Sequence, residues 1–339
     1  MPRSYAPPPV ATPPVGELLR RYRSTGDALS CEPVAQGLLN RGYRLATTRG
    51  DYFLKHHLDG DPAAISRQHR ATQRLQVLGV PVAPPLADTD GDTVTVIGGR
   101  CYALHPWIDG RHREGAQLST GCSRRLGALL GLVHTGLERV MEAESAPPEH
   151  ESADPADTFA VIEELLSRLA CRQSGRDTFD ELAEHRLRER RRLLERHAHR
   201  RPPPGTAGGW VHGDFHPLNL LYRGAEPAAI IDWDRLGVKP RAEEVVRAAV
   251  IFFVQPTGEL ELAKVRAYAR AYRRAASAGP AELAAAVHRV WWERLNDFWT
   301  LRWRYQLHDR RADPLFPAAS ALVVWWTREY EAVCEAFSG

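Results

Sequence analysis

Polar and apolar positions along this chain change their spacing partway, and the change divides it. The first fifteen residues are rich in Pro and small side chains and predict a disordered or extended arm. A short amphipathic helix is predicted from 16 to about 24. Strand-like runs follow at 32–39, 43–48 and 51–57, with Gly42 and Gly50 at the turns. At 62–78 the spacing becomes helical, placing Ile65, Gln68, Thr72 and Leu75 on one face, and Gly79 and Pro81 stop that helix. Two further runs, 93–97 and 100–105, are joined by Gly98-Gly99, a hairpin signal. The first third therefore predicts a small antiparallel sheet carrying one helix.

Beyond residue 110 the pattern predicts long helices at 118–140, 158–172 and 177–199, and four more across 240–337. Between them lie an acidic, Pro-containing loop (142–157), a linker (201–209) and two or three short strands. One of these strands is the apolar run 228–231. No internal repeat interrupts this order, and the boundary between the two parts is predicted near 105–110.

Composition narrows the class. A chain of 339 residues, 43% hydrophobic and 26% charged, has the size and make-up of one large domain or two lobes with a real core. The net charge of +3 gives no general reason to expect a nucleic-acid partner. The Arg-rich stretch 186–201 interleaves Glu189 and Glu195 and lacks aromatics for base stacking. It reads as a solvated, salt-bridged helix rather than an RNA-binding one. Five Cys without a CxxC pair, no leader-like apolar segment and no membrane-length run predict a soluble cytoplasmic protein. Of 45 basic residues only Lys55, Lys239 and Lys264 are lysine, so in this chain each lysine calls for a reason.

The chemistry concentrates in WVHGDFHPLNLLYRGAEPAAIIDWD, residues 210–234. Gly213 and Pro217 break regular structure, so Asp214 and Asn219 share a loop, while Asp232 follows the buried run 228–231. An Asp and an Asn offer hard oxygen ligands suited to Mg²⁺, which prefers one or two carboxylates together with substrate phosphates. Asp214 is then free to take a proton from an attacking hydroxyl, and these are the parts that phosphoryl transfer needs. The rival is a metal-dependent hydrolase using His212, Asp214 and His216. No second His or Cys cluster completes such a site, and structural roles for both histidines are favoured.

HGDFHPLN followed by IIDWD resembles the catalytic loop and metal segment of the aminoglycoside phosphotransferase, choline kinase and homoserine kinase II superfamily. The resemblance implies an α+β, two-lobed protein-kinase-like fold, with a small antiparallel-sheet N-lobe and a larger, mainly helical C-lobe. The expected division is an arm at 1–15, a nucleotide-binding N-lobe at 16–107 and a C-lobe at 108–339 carrying the catalytic loop, metal site and acceptor site. The resemblance also implies Asp214 as the catalytic carboxylate and Asn219 and Asp232 as Mg²⁺ ligands. His212 and Gly213 match the loop's opening pair, and Asp234 matches a position that is usually acidic.

The segment QGLLNRGYRLATTRGDYFLKHH resembles the family's nucleotide-covering hairpin and the strand that bears its phosphate-binding lysine, here Lys55. The hairpin lacks GxGxxG, leaving backbone amides near 38–41 to reach phosphates. Gln68 stands where the family's helix supplies a glutamate to pair with that lysine. Because a neutral amide offers no ion pair, Lys55 is expected to be ordered mainly by nucleotide phosphates. CYALHPWIDGR resembles the hinge, with main chain around His105 and Trp107 expected at the nucleobase and the Trp107 ring read as structural. The expected function is transfer of the γ-phosphate of ATP or GTP, with Mg²⁺, to a hydroxyl of a small polar acceptor. That acceptor class includes amino sugars, aminoglycosides and other hydroxylated metabolites or antibiotics, and homoserine- or choline-type chemistry is the alternative. Trp292, Asn296, Trp299 and Trp303 are predicted on one helical face, with Glu293 and Asp297 as acceptor-site candidates. An aromatic stripe of this kind more often serves the core.

Overall fold

The computed structural model describes residues 13–34, 40–58, 60–142, 151–172, 175–205 and 208–339. Residues 1–12 of the expected arm, and residues 35–39 with the phosphate-binding amides expected at 38 and 39, lie outside them. The chain divides into two compact units, Met1–Gly110 with Ala228–Asp234, and Arg111–Pro227 with Arg235–Gly339.

The smaller unit starts with helix α1 (Val15–Arg21) and strands β1 (Ala28–Val34), β2 (Arg41–Thr47) and β3 (Gly50–His57). Helix α2 (Pro62–Val77) and strands β4 (Thr95–Ile97) and β5 (Arg100–Pro106) follow. The strands form one antiparallel sheet in the order β1-β2-β3-β5-β4. Alternation decides the inner face: Tyr43, Leu45 and Thr47 of β2 are buried and Arg44 is exposed. Tyr43 and Leu45, with Leu54, Ile97, Tyr102 and Leu104, pack over Leu18 of α1 and Tyr22 at its C-terminal end. Gly98 and Gly99 take φ of 56° and 73°, the left-handed turn conformation that the β4–β5 hairpin requires. Asp61 caps α2 by accepting from the amides of Ala63 and Ala64, and Pro62 occupies the first turn.

The larger unit contains α3 (Thr120–Val140), α4 (Pro155–Ala170), α5 (Thr178–His197), β6 (Gly209–Val211) and β7 (Leu220–Arg223). Next comes β8 (Glu226–Ile230), from whose Ala228 the chain belongs to the smaller unit as far as Asp234. There Ile230 forms a parallel bridge with Val82. The larger unit continues with β9 (Gly237–Lys239), paired antiparallel with β6, and with α6 (Arg241–Phe253), α7 (Leu262–Ala276) and α8 (Pro280–Asn296). It ends with α9 (Trp299–Gln306), α10 (Phe316–Arg328) and α11 (Tyr330–Ser338). Helices α3 and α7 meet closely because Gly127 and Gly131 carry no side chain there. A Cβ at Gly127 would stand 2.1 Å from the Tyr268 carbonyl oxygen, and one at Gly131 would stand 2.6 Å from the Ala275 Cβ.

Three expectations are corrected. Six α-helices, not four, fill the chain after residue 240, because Ser277 and His308 turn left-handed and Asp297 is extended. That last break removes the single aromatic face: Trp292 lies on α8, and Trp299 and Trp303 lie on α9. The segment 228–234, placed by sequence in the second part, is grouped with the first. No helix among the described residues is long and apolar enough to cross a membrane.

Candidate active site

In the smaller unit the sheet and the returning segment 228–234 bring one cluster together. Lys55 on β3 places Nζ 2.8 Å from Asp232 Oδ1 and 2.6 Å from Asp234 Oδ1. Burial works against the ammonium, but the two carboxylates more than offset it, so the Lys55 pKa stands above the ordinary lysine value. Burial and the neighbouring Asp232 charge push the Asp234 carboxyl up, against the pull of Lys55. Asp232 itself adopts φ of 60°, a left-handed backbone rare outside glycine and costing roughly 1–2 kcal/mol. The strain sits on the residue whose carboxylate the sequence singles out, and that side chain is 48% exposed.

These contacts overturn the expected state of Lys55. It is ion-paired, and the partners come from the 232–234 segment. Gln68, on the inner side of α2, does not bond Lys55 but donates Nε2–H to the backbone carbonyl of Asp234 at 3.1 Å. Asn40 donates to Asp234 Oδ2 and accepts the Leu58 amide at 3.1 Å.

His105 donates Nδ1–H to the Ala83 carbonyl at 2.9 Å. Burial, joined by the Lys55 charge, lowers its pKa to about 4. The Trp107 amide is committed to the Asp51 carbonyl at 3.2 Å, so this main-chain donor cannot also serve a nucleobase as expected. The Trp107 ring carries the Arg44 guanidinium 4.9 Å from its centre.

The larger unit holds the loop 212–219. His212 is fully buried and its Nδ1 accepts the Asp214 amide at 3.2 Å. His216 Nδ1 accepts the Leu218 amide at 3.2 Å, and its Nε2 lies 3.6 Å from Asp214 Oδ2. Burial alone would raise the Asp214 pKa. His216, Arg235 at 3.6 Å and His212 outweigh it and hold the carboxyl below its ordinary range, so Asp214 is ionised and acceptor-only. Asn219 donates Nδ2–H to the Asp214 carbonyl at 2.8 Å, with Nδ2 also 3.2 Å from His216 Nε2, which leaves Oδ1 as the oxygen a cation would meet. Gly213 has φ of 86°, and a Cβ there would stand 2.1 Å from the Arg235 carbonyl oxygen, so both the turn and the close approach require glycine.

No local pattern marks what anchors this loop. Glu244 on α6 accepts the His212 amide at 3.2 Å and the Gly213 amide. Its Oε2 also accepts from His134 Nε2 at 2.7 Å, and His134 Nδ1 meets Tyr272 Oη at 2.9 Å. Burial opposes the Glu244 charge, yet His134, His212 and the Gly213 amide keep its pKa below the ordinary glutamate value. Glu244 and His134 sit on helical faces where a buried Glu or His looks like any amphipathic position, and their partnership depends on a loop distant in sequence.

With both His212 and His216 accepting backbone amides, these rings brace the loop, and the metal-hydrolase alternative loses two of its three ligands. Among the described residues no three His, Cys, Asp or Glu side chains are grouped to hold a metal ion on their own. Taken one by one, the Asn219 amide and the Asp232 carboxylate each offer a hard oxygen of the kind Mg²⁺ prefers. The acceptor candidates have structural partners: Glu293 accepts from Arg247 Nε at 2.7 Å, and Asp297 Oδ1 accepts the Trp299 amide, the first of α9, at 3.0 Å.

Homoserine kinase from Nitrobacter hamburgensis (strain DSM 10229 / NCIMB 13809 / X14) is 24% identical over 81% of this chain and 79% of its own length. Among solved structures, the microcompartment-associated aminopropanol kinase superposes with a TM-score of 0.60 at 15% identity, covering 96% of this chain and 99% of its own. Amicoumacin kinase hAmiN, in complex with AMP-PNP, Ca²⁺ and Ami, gives 0.58 at 18% identity, covering 94% and 93%. The fold is thus the expected protein-kinase-like one, a five-stranded antiparallel sheet with a mostly helical remainder. Residues 30–278 match the model of the phosphotransferase enzyme family (APH), and the chain belongs to that family of small-molecule phosphotransferases, which transfer phosphate to hydroxyl groups.

Proposed function

We propose that this protein transfers the γ-phosphate of ATP or GTP to the hydroxyl of a small amine-bearing acceptor. The observation that carries the reading is Asp214: ionised and held on a braced loop, its carboxylate is fit to orient a hydroxyl and take its proton. Lys55 positions the nucleotide phosphates, and the chain around His105 and Trp107, apart from the committed Trp107 amide, lies at the nucleobase. Asn219 and Asp232 hold Mg²⁺, which when bound neutralises the phosphate charge. Asp232 also contacts Lys55 here, so nucleotide binding loosens that contact. In a loose transition state positioning outweighs base strength, which fits a carboxylate of low pKa in the role of Asp214.

The acceptor class is supported by the names of the similar proteins, since homoserine and aminopropanol are both amino alcohols. Aminoglycosides and other amino sugars belong to the same chemical class of hydroxylated amines. Glu293 and Asp297, tied to Arg247 and to the α9 amide, are not carried into the acceptor site.

The test is a screen of homoserine, aminopropanol, choline, amino sugars and aminoglycosides for Mg²⁺-dependent nucleotide consumption, with Asp214→Asn as the blank. The expected result is acceptor-dependent turnover that Asp214→Asn reduces by about 10²–10⁴-fold while nucleotide affinity is kept. Near wild-type turnover in Asp214→Asn would refute the assignment.

A further inference from the structure

In protein kinases the strand lysine is set by a glutamate on the following helix. Here that helix, α2, offers Gln68, and the lysine is nevertheless held. We infer that Asp234 is the residue that positions Lys55 for nucleotide binding, and that Gln68 and Asn40 serve to fix Asp234. This inference rests on the kinase reading above and adds to it an assignment for three residues.

Asp234 is fixed at three points: Oδ1 lies 2.6 Å from Lys55 Nζ, Oδ2 accepts from Asn40, and the backbone carbonyl accepts from Gln68 at 3.1 Å. Asn40 is itself held by the Leu58 amide, at the end of the strand that bears Lys55. Asp232 also touches Lys55, but its side chain is 48% exposed, against 27% for Asp234, and its oxygens are the ones proposed for Mg²⁺. When Asp232 turns to a cation, Asp234 keeps the ammonium in place. The arrangement also explains the amide at position 68. Its partner is a carbonyl oxygen, so the side chain must donate, and an ionised glutamate has no proton to give.

This leads to a result opposite to what simple restoration of the kinase pattern suggests. Gln68→Glu sets a carboxylate against the Asp234 carbonyl and close to two more carboxylates, so it is expected to weaken nucleotide binding rather than improve it.

The experiment is calorimetric titration of the full chain with AMP-PNP and Mg²⁺, with melting temperatures recorded for each variant. Asp234→Asn is expected to weaken binding about tenfold, with a smaller fall in kcat than rise in nucleotide KM. Asp234→Glu is expected to recover part of the loss. Lys55→Met is expected to lose at least as much as Asp234→Asn, and the double variant no more than Lys55→Met alone, because both changes remove one unit.

Wild-type affinity in Asp234→Asn, additive losses in the double variant, or tighter binding by Gln68→Glu would each overturn the inference and leave the proposed function standing. A Lys55→Met protein that binds as tightly as wild type overturns this inference together with the role given to Lys55 in the proposed function.

Discussion

At the scale of single residues, the loop 212–219 depends on one carboxylate outside it. Glu244 accepts two consecutive backbone amides and a histidine N–H, with His212 and His134 fully buried. Glu244→Ala removes every one of these acceptors. A buried donor left unsatisfied costs about 1–3 kcal/mol, and a loss of at least that size is the expected fall in unfolding free energy by urea titration. Activity measured well below the melting temperature is also expected to drop, because Asp214 is carried by the freed amides' neighbour. A variant with wild-type stability would contradict the anchoring role. The lysine economy of the chain is explained at this scale as well. Lys55 meets two carboxylates, and Lys264, also buried, donates to the Gly115 carbonyl at 2.9 Å and to Glu261 at 2.9 Å. Arginine serves where a fork is needed: Arg304 reaches Asp177, Asp180 and Asp313 at once.

At the scale of elements, the α3–α7 contact gives a paired prediction on a single helix. Gly127→Ala drives a methyl into the Tyr268 carbonyl, so the helices must part, at an expected cost of about 1–3 kcal/mol. Gly121→Ala in the first turn of the same helix meets nothing nearer than Ser119 Oγ at 3.7 Å, and is expected to stabilise by about 0.4–1 kcal/mol. Melting temperatures moving in opposite directions check both. Helix α5 shows why its many arginines need no nucleic acid to explain them: Arg188 pairs with Glu184 and Arg191 with Glu195, each at i,i+4, and Arg186 pairs with Glu189. The periodicity of α2 was legible because Ile65, Thr72 and Leu75 are buried on the predicted face. The break after α8 was not legible. The run WWERLNDFWTLRWR keeps helical spacing throughout, and the break comes at Asp297, which is extended, ends α8 and accepts the Trp299 amide.

At the scale of the whole molecule, stability is linked to pH through two buried histidines of the smaller unit. Burial, joined by the charges of Lys55 and the neighbouring histidines, lowers His57 to about 3. Burial and nearby His105 and His57 lower His69 to about 2. Both rings therefore stay neutral in the folded chain at pH values where the unfolded chain, with an ordinary value near 6.5, takes up protons. Stability is thus fully present above about pH 6.5 and falls as pH drops toward about 3, by up to about 1.4 kcal/mol per pH unit for each ring. The expected result is a lower melting temperature at pH 5 than at pH 7.5, with amide exchange on β3 and α2 accelerating first. A flat profile over that interval would count against the buried neutral histidines.

The sheet-then-helix order, the hairpin at Gly98-Gly99, the α2 face and the chemical loop are written in the order of residues alone. Each of these is encoded locally, by alternation, by turn chemistry or by a contiguous motif. The partners of Lys55 came only from the folded chain, because Asp232 and Asp234 arrive from 177 and 179 residues away. The same holds for Glu244 and His134, and for the passage of 228–234 into the smaller unit. Side chains that matter through whom they meet are specified by the packing of distant elements, and no local pattern records that meeting.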